Sequence, residues 1–175
     1  GRVDYIENMK KRTITTGFIS CVATFLCQGK YPKILMQAWN EYRNNKGTEN
    51  ANPNEFANTQ SYALIGLSYG GIALEEYSFS NLSAILSFLR QVIVAVSWAE
   101  YQYHFEHRDL HAGNILILPT DVESISVPCP PRCPDEDGLK GPHMLTEEIP
   151  TAGVRIHIID YTLSRMNSGK LWYIC

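Results

Sequence analysis

Charge of either sign is scarce in this 175-residue chain: 15 Lys and Arg stand against 18 Asp and Glu, a net of −3. Such a balance gives no general electrostatic drive toward nucleic acid or an anionic membrane, and it disfavours nucleic acid as the primary partner. A long unbroken hydrophobic run is also missing. The longest apolar stretch, Leu82 to Trp98, is interrupted by Arg90 and Gln91 and falls short of the ~20 residues that cross a bilayer, so a soluble protein is expected. Paired cysteines are lacking too: the five, at 21, 27, 129, 133 and 175, are an odd set with no signal peptide ahead of them. A reducing intracellular compartment and free thiols follow. Cys129 and Cys133 lack a second ligand pair at zinc-site spacing, so their surroundings read as a solvated loop.

What is present suffices for one packed core, since 45% of the residues are hydrophobic. The chain opens on Gly1 rather than Met and closes on the apolar Lys170-Leu-Trp-Tyr-Ile-Cys175, which leads us to expect a fragment of a larger unit.

Periodicity sketches the elements. Ile19 to Leu26 is β-branched and apolar and reads as a strand; Pro32 to Tyr42 carries Ile34, Leu35, Ala38 and Trp39 at helical spacing; Asn44 to Asn58 reads as polar loop. Tyr62 to Tyr69 is a second strand, followed by Gly70 and Gly71, which suit a turn presenting backbone to a ligand. Asn81 to Phe105 has the strongest helical pattern, with Leu82, Ile85, Leu86, Leu89, Val92, Ile93 and Val96 as its expected buried stripe and Ser80 or Asn81 as its cap. Pro119 to Thr151, rich in Pro, Asp and Glu, reads as an insert.

The chemistry concentrates in His107-Arg-Asp-Leu-His-Ala-Gly-Asn114, where Asp109 and Asn114 stand five apart just before an apolar strand. Phosphoryl transfer needs a carboxylate to orient the attacking hydroxyl and a nearby neutral oxygen to hold Mg²⁺; this spacing offers Asp109 for the first and Asn114 for the second. Downstream, Val154 to Ile159 delivers Asp160, which opens Asp-Tyr-Thr-Leu-Ser-Arg165. Protein kinases carry Asp-Phe-Gly at such a place, with the Asp on the metal. His107 reads as a packed histidine supporting the loop.

HRDLHAGNILI followed by IIDYTLSR resembles the haspin family of atypical eukaryotic serine/threonine protein kinases. The likeness extends to Phe18, Cys27-Gln28-Gly29, Tyr31-Pro32, Ala38-Trp39, Lys46-Gly47, Tyr69-Gly70-Gly71-Ile72 and Phe105-Glu106-His107, and is weakest over 1–16, 119–151 and the tail after Met166. It implies an α+β, protein-kinase-like fragment: residues 1–69 as the end of the small lobe, and 70–175 as hinge and first part of the helical large lobe, with the insert at 119–151. It implies Leu67 at the back of the adenine pocket and Ser68, Tyr69 and Gly70 as backbone contacts to the base. ATP and Mg²⁺ would be the cofactors and a basic histone tail the protein substrate, in the nucleus. Ala73 departs from the family, which tends to carry a ribose-contacting Asp there.

His111 sits two residues after the proposed base, where protein kinases commonly carry Lys. It is shared with haspin and with small-molecule phosphotransferases related to aminoglycoside and choline kinases, so the octet alone leaves both substrate classes open. The sequence also lacks a Gly-rich phosphate loop, and no Lys follows Val22-Ala23-Thr24, which keeps a catalytically inactive binding module as an alternative. Arg108 could meet a phosphate on Thr162, Ser164 or Ser168, or the segment could be ordered without one. Oligomeric state is left open.

Overall fold

The computed structural model describes residues 17–130, 145–167 and 172–174. It combines helix and sheet and divides into two units, one of residues 20–68 and one of residues 17–19 together with 69 onward.

In the smaller unit β1 (Cys21–Gln28) pairs antiparallel with β2 (Ser61–Leu67), with an irregularity between Cys21 and Ala23. The connection carries α1 (Lys33–Lys46), which starts after Pro32 and is stopped by Gly47 at φ 71°, whose N–H bonds the Arg43 carbonyl. The helix thus runs a turn beyond the expected end at Tyr42. Arg43 and Lys46 sit where the helix dipole favours cations, and the two asparagines between them are weak helix formers rather than stop signals; the glycine is the stop. Tyr31, Phe56 and Tyr62 pack ring to ring at 5.7–6.4 Å.

The larger unit is built on a three-stranded antiparallel sheet in the order β3 (Ile72–Ala73), β4 (Ile115–Pro119), β7 (Val154–Ile158). Alternate residues of β4 and β7 point into the core: Ile115 and Ile117 from one, Val154, Ile156 and Ile158 from the other. Across them lies α2 (Leu82–Tyr103), capped by the Asn81 side chain, which accepts from the Ala84 N–H at 2.9 Å.

The face that α2 buries differs from the expected one. Ala84, Phe88, Ala95, Trp98 and Ala99 are buried, whereas Leu82, Ile85, Leu86, Leu89 and Ile93 are exposed. The helix is apolar on more than one side, and its alanine-bearing side allows the closer approach to the sheet. Two polar residues on that side are stitched to strand backbone. Ser87 Oγ donates to the Pro150 carbonyl at 2.7 Å; Gln91 donates to the Val154 carbonyl at 2.9 Å and accepts from the Ile156 N–H at 3.2 Å. At 22 residues α2 is, by length and composition, long and apolar enough to cross a membrane, contrary to the sequence expectation. Its buried, strand-bonded Ser87 and Gln91 mark it as the core helix of a folded unit.

The described residues of the insert form strands where a loop was expected. β5 (Ser124–Cys129) and β6 (Leu145–Pro150) form an antiparallel ribbon, with Val127 and Ile149 buried. An ion pair from Arg90 to Glu147 ties it to α2. Cys133, His143 and the acidic run 135–137 lie outside the described residues, as does Ser168. Finally β8 (Arg165–Asn167) pairs with β9 (Trp172–Ile174).

Candidate active site

α2 ends at Tyr103, its C-cap His104 adopts φ 47°, and the chain turns into the segment carrying Asp109 and Asn114. His107 is 5% exposed and makes that turn rigid. Its Nδ1 accepts from the Asp109 N–H (3.4 Å), so Nε2 carries the hydrogen and donates to the Ile159 carbonyl (3.0 Å). Ser164 Oγ donates to the His107 carbonyl at 3.2 Å. The packed-histidine expectation for His107 is therefore met. Glu106 and Arg165 exchange two backbone bonds of 2.9 Å and pair through their side chains, with Arg108 Nε 3.7 Å from the same carboxylate.

Asn114 is buried and binds its own loop: Nδ2 donates to the Asp109 carbonyl at 3.0 Å. The amide oxygen is the opposite branch of that group from the Asp109 carbonyl. His111 is addressed at both ring nitrogens by amide donors, Gly113 N–H at Nδ1 (3.1 Å) and Asn114 Nδ2 at Nε2 (3.2 Å). A neutral imidazole accepts one of these, an imidazolium neither. His111 Nε2 is also 3.9 Å from Asp109 Oδ2.

Asp160 follows β7, whose Ile158 is paired with Ile115 next to Asn114; the Ile159 N–H donates to the Asn114 carbonyl at 3.0 Å. Its backbone is left-handed at φ 62°, a conformation Asp tolerates better than most residues. Thr162 donates to Asp160 Oδ1 through Oγ1 (2.7 Å) and N–H (3.2 Å). These two bonds lower the Asp160 pKa below the usual carboxylate value, with lesser contributions from His107 and His111. Tyr161 points inward: its hydroxyl donates to the Ile158 carbonyl at 2.6 Å, its ring packs on Phe18, Phe105 and His107, and burial raises its pKa to about 12.

Asp109, His111 and Asn114 thus form one hydrogen-bonded loop, and Asp160 begins the turn bonded to that loop through Ile159. The remaining expected site residues divide between the two units. Leu67 ends β2 with half its surface exposed, and the Ser68 N–H donates to the Ser20 carbonyl, both within the smaller unit. Tyr69 and Gly70 begin the larger one. Tyr69 is exposed; Gly70 is buried, and its carbonyl lies 3.1 Å from His157 Nδ1. Sequence reasoning missed His157, Glu106 and Arg165. It also offered Ser164 as a phosphate acceptor, whereas Ser164 is 4% exposed and bonded to the loop.

No three His, Cys, Asp or Glu gather as a metal site among the described residues. The Asn114 amide oxygen and the Asp160 carboxylate are oxygen donors of the kind that hard divalent cations accept.

The relatives of this chain share one class, that of serine/threonine-protein kinases. The model of the haspin-like kinase domain matches residues 4–174, and the chain belongs to that family. It is 35% identical over 163 residues to a serine/threonine-protein kinase haspin of Bos taurus, covering 92% of this chain and 19% of the relative. A Drosophila melanogaster haspin homolog is 34% identical over 163 residues (93% and 26%), and one from Arabidopsis thaliana 38% over 145 residues (83% and 22%). The chain spans about a fifth to a quarter of the length of these relatives. A protein-kinase family implies ATP and a divalent metal.

Proposed function

We propose that this chain is the catalytic segment of a haspin-type serine/threonine protein kinase. The observation that carries the proposal is the Asn114–Asp109 hydrogen bond, which holds a carboxylate-bearing residue and an amide oxygen in one loop. In the reaction Asp109 orients a protein hydroxyl and accepts its proton as the oxygen bonds to the γ-phosphorus of ATP; the bond from that phosphorus to the bridging oxygen breaks, and ADP leaves. Asn114 and Asp160 would hold Mg²⁺, which would supply positive charge against the phosphates. The two bonds from Thr162 keep one Asp160 oxygen engaged and its carboxylate ionised. His111 takes the place of the Lys that faces the transferring phosphate.

The family resemblance supports the finer assignments. Residues up to 69 are the end of a small lobe, and those from 70 on are hinge and catalytic part of a large one. Leu67, Ser68, Tyr69 and Gly70 contact the adenine. The acceptor is a threonine in a basic histone tail, in the nucleus.

The test is phosphate incorporation by the full-length protein across a panel of acceptors. A histone-tail peptide should be labelled, and aminoglycosides and choline should not. Asp109→Asn should lower incorporation by about 10²–10⁴-fold with an unchanged circular dichroism spectrum. Full turnover by that variant would remove Asp109 as the base, and labelling of a small-molecule acceptor alone would move the protein to the other phosphotransferase class.

A further inference from the structure

Glycines have the least intrinsic backbone restraint, yet Gly70 and Gly71 are closely packed. A Cβ on Gly70 would come within 2.7 Å of Leu116 Cδ1 and 2.8 Å of Ile19 Cδ1. Gly71 adopts φ 104°, and a Cβ there would lie 1.9 Å from the Ile117 carbonyl oxygen. Backbone overlap excludes a side chain at Gly71, and at Gly70 two flexible side-chain ends would have to shift; neither by itself fixes which way the Gly70 peptide faces. That direction is set by His157. Leu116 and His157 are cross-strand partners in β4 and β7 and point away from the α2 core. From that face the ring donates Nδ1–H to the Gly70 carbonyl. A carbonyl can only accept, so the bond fixes the tautomer: in a neutral ring the hydrogen is on Nδ1.

We infer that His157 is a positioning residue for nucleotide binding. By committing the Gly70 carbonyl to β7 it fixes the two-glycine turn, so that the remaining backbone groups at Tyr69 and Gly70 are presented to a base without being ordered at the moment of binding. Among the described residues no hydrogen bond engages the Tyr69 backbone. This rests on the assignment of 67–70 as the base-contacting segment. Asn114 and Asp160 lie just beyond Ile115↔Ile158, the pair next to Leu116↔His157, so this one end of the β4–β7 ladder positions the proposed purine-contacting turn and the proposed metal-binding groups together.

The experiment uses the full-length protein with His157→Ala and His157→Asn, the latter placing an amide N–H near the position of Nδ1. Two quantities are read: hydrogen exchange of amides 69–72 without nucleotide, and KM for ATP beside kcat and the KM for a peptide acceptor. His157→Ala should speed exchange and raise the ATP KM about three- to tenfold, leave kcat and the peptide KM within a factor of two, and be rescued by His157→Asn. Faster exchange with an unchanged ATP KM would overturn the inference by showing that the turn does not read the nucleotide. Unchanged exchange and unchanged KM, with nucleotide still protecting the Gly70 amide in the wild type, would overturn it while leaving the base-contacting assignment standing.

Discussion

Asn114 Nδ2 donates to the backbone carbonyl of Asp109 across 3.0 Å, so the proposed metal ligand is also the brace of the loop that carries the proposed base. The two functions separate in Asn114→Asp. A carboxylate still binds a cation, but it faces the Asp109 carbonyl with an acceptor instead of a donor. The part-buried Asp109 carbonyl keeps the His111 N–H at 3.1 Å but loses one hydrogen bond, about 0.5–1.5 kcal/mol. The expected outcome is retained metal binding with kcat reduced at least about tenfold, measured by metal titration beside steady-state kinetics.

Ser164 donates to the His107 carbonyl from a site 4% exposed. Ser164→Ala should lower the unfolding free energy by about 1 kcal/mol, read from the denaturant midpoint. Mass spectrometry of the folded, active protein should find Ser164 unmodified even where Thr162, which is exposed, carries phosphate.

Two glycines with positive φ should answer differently to alanine. At Gly71 the new Cβ would overlap the Ile117 carbonyl, and no flexible side chain can give way, so Gly71→Ala should cost more than about 4 kcal/mol and yield little folded protein. At Gly153, φ 85°, nothing lies within 4 Å, and only the left-handed backbone is penalised, by about 1–2 kcal/mol. Equal losses in the two melting curves would show that strain rather than overlap governs this sheet.

His157 also makes stability depend on pH. Burial, chiefly, and the nearby Arg155 lower its pKa below 6.5 in the folded state, against a smaller opposing effect of its bond to Gly70. The unfolded chain then binds more protons just below pH 6.5, so the stabilisation is complete above that value and is lost as pH falls through the depressed folded value. His157→Asn should flatten that part of the stability profile between pH 5 and 7, seen in urea midpoints of the two proteins; parallel profiles would assign the slope to other groups.

Much of this was legible in the residues, for reasons that also mark where legibility stopped. The Asp109–Asn114 spacing is local, and the loop closes on itself through bonds of five residues or fewer, so the order of residue types revealed it. The Asn81 cap and the extent of α2 are local too. Its buried face was not legible, because apolar residues occupy several sides of the helix and only the sheet decides which is covered. The β5–β6 ribbon was hidden by the Pro and charge content of Pro119 to Thr151, which reads as solvated chain until the two strands meet. His157 with Gly70, and Glu106 with Arg165, pair across 87 and 59 residues, and a polar side chain alternating in a strand gives no hint of its partner.

The five cross-strand pairs from Ile115↔Ile158 to Pro119↔Val154 have a consequence for how this region tolerates change. Asn114 and Asp160 lie just outside one end of that ladder, and the strands β5 and β6 adjoin the other. A one-residue slip between β4 and β7 would displace one of the two proposed cation-binding groups by about 3.3 Å and reverse the face of every side chain along the slipped strand.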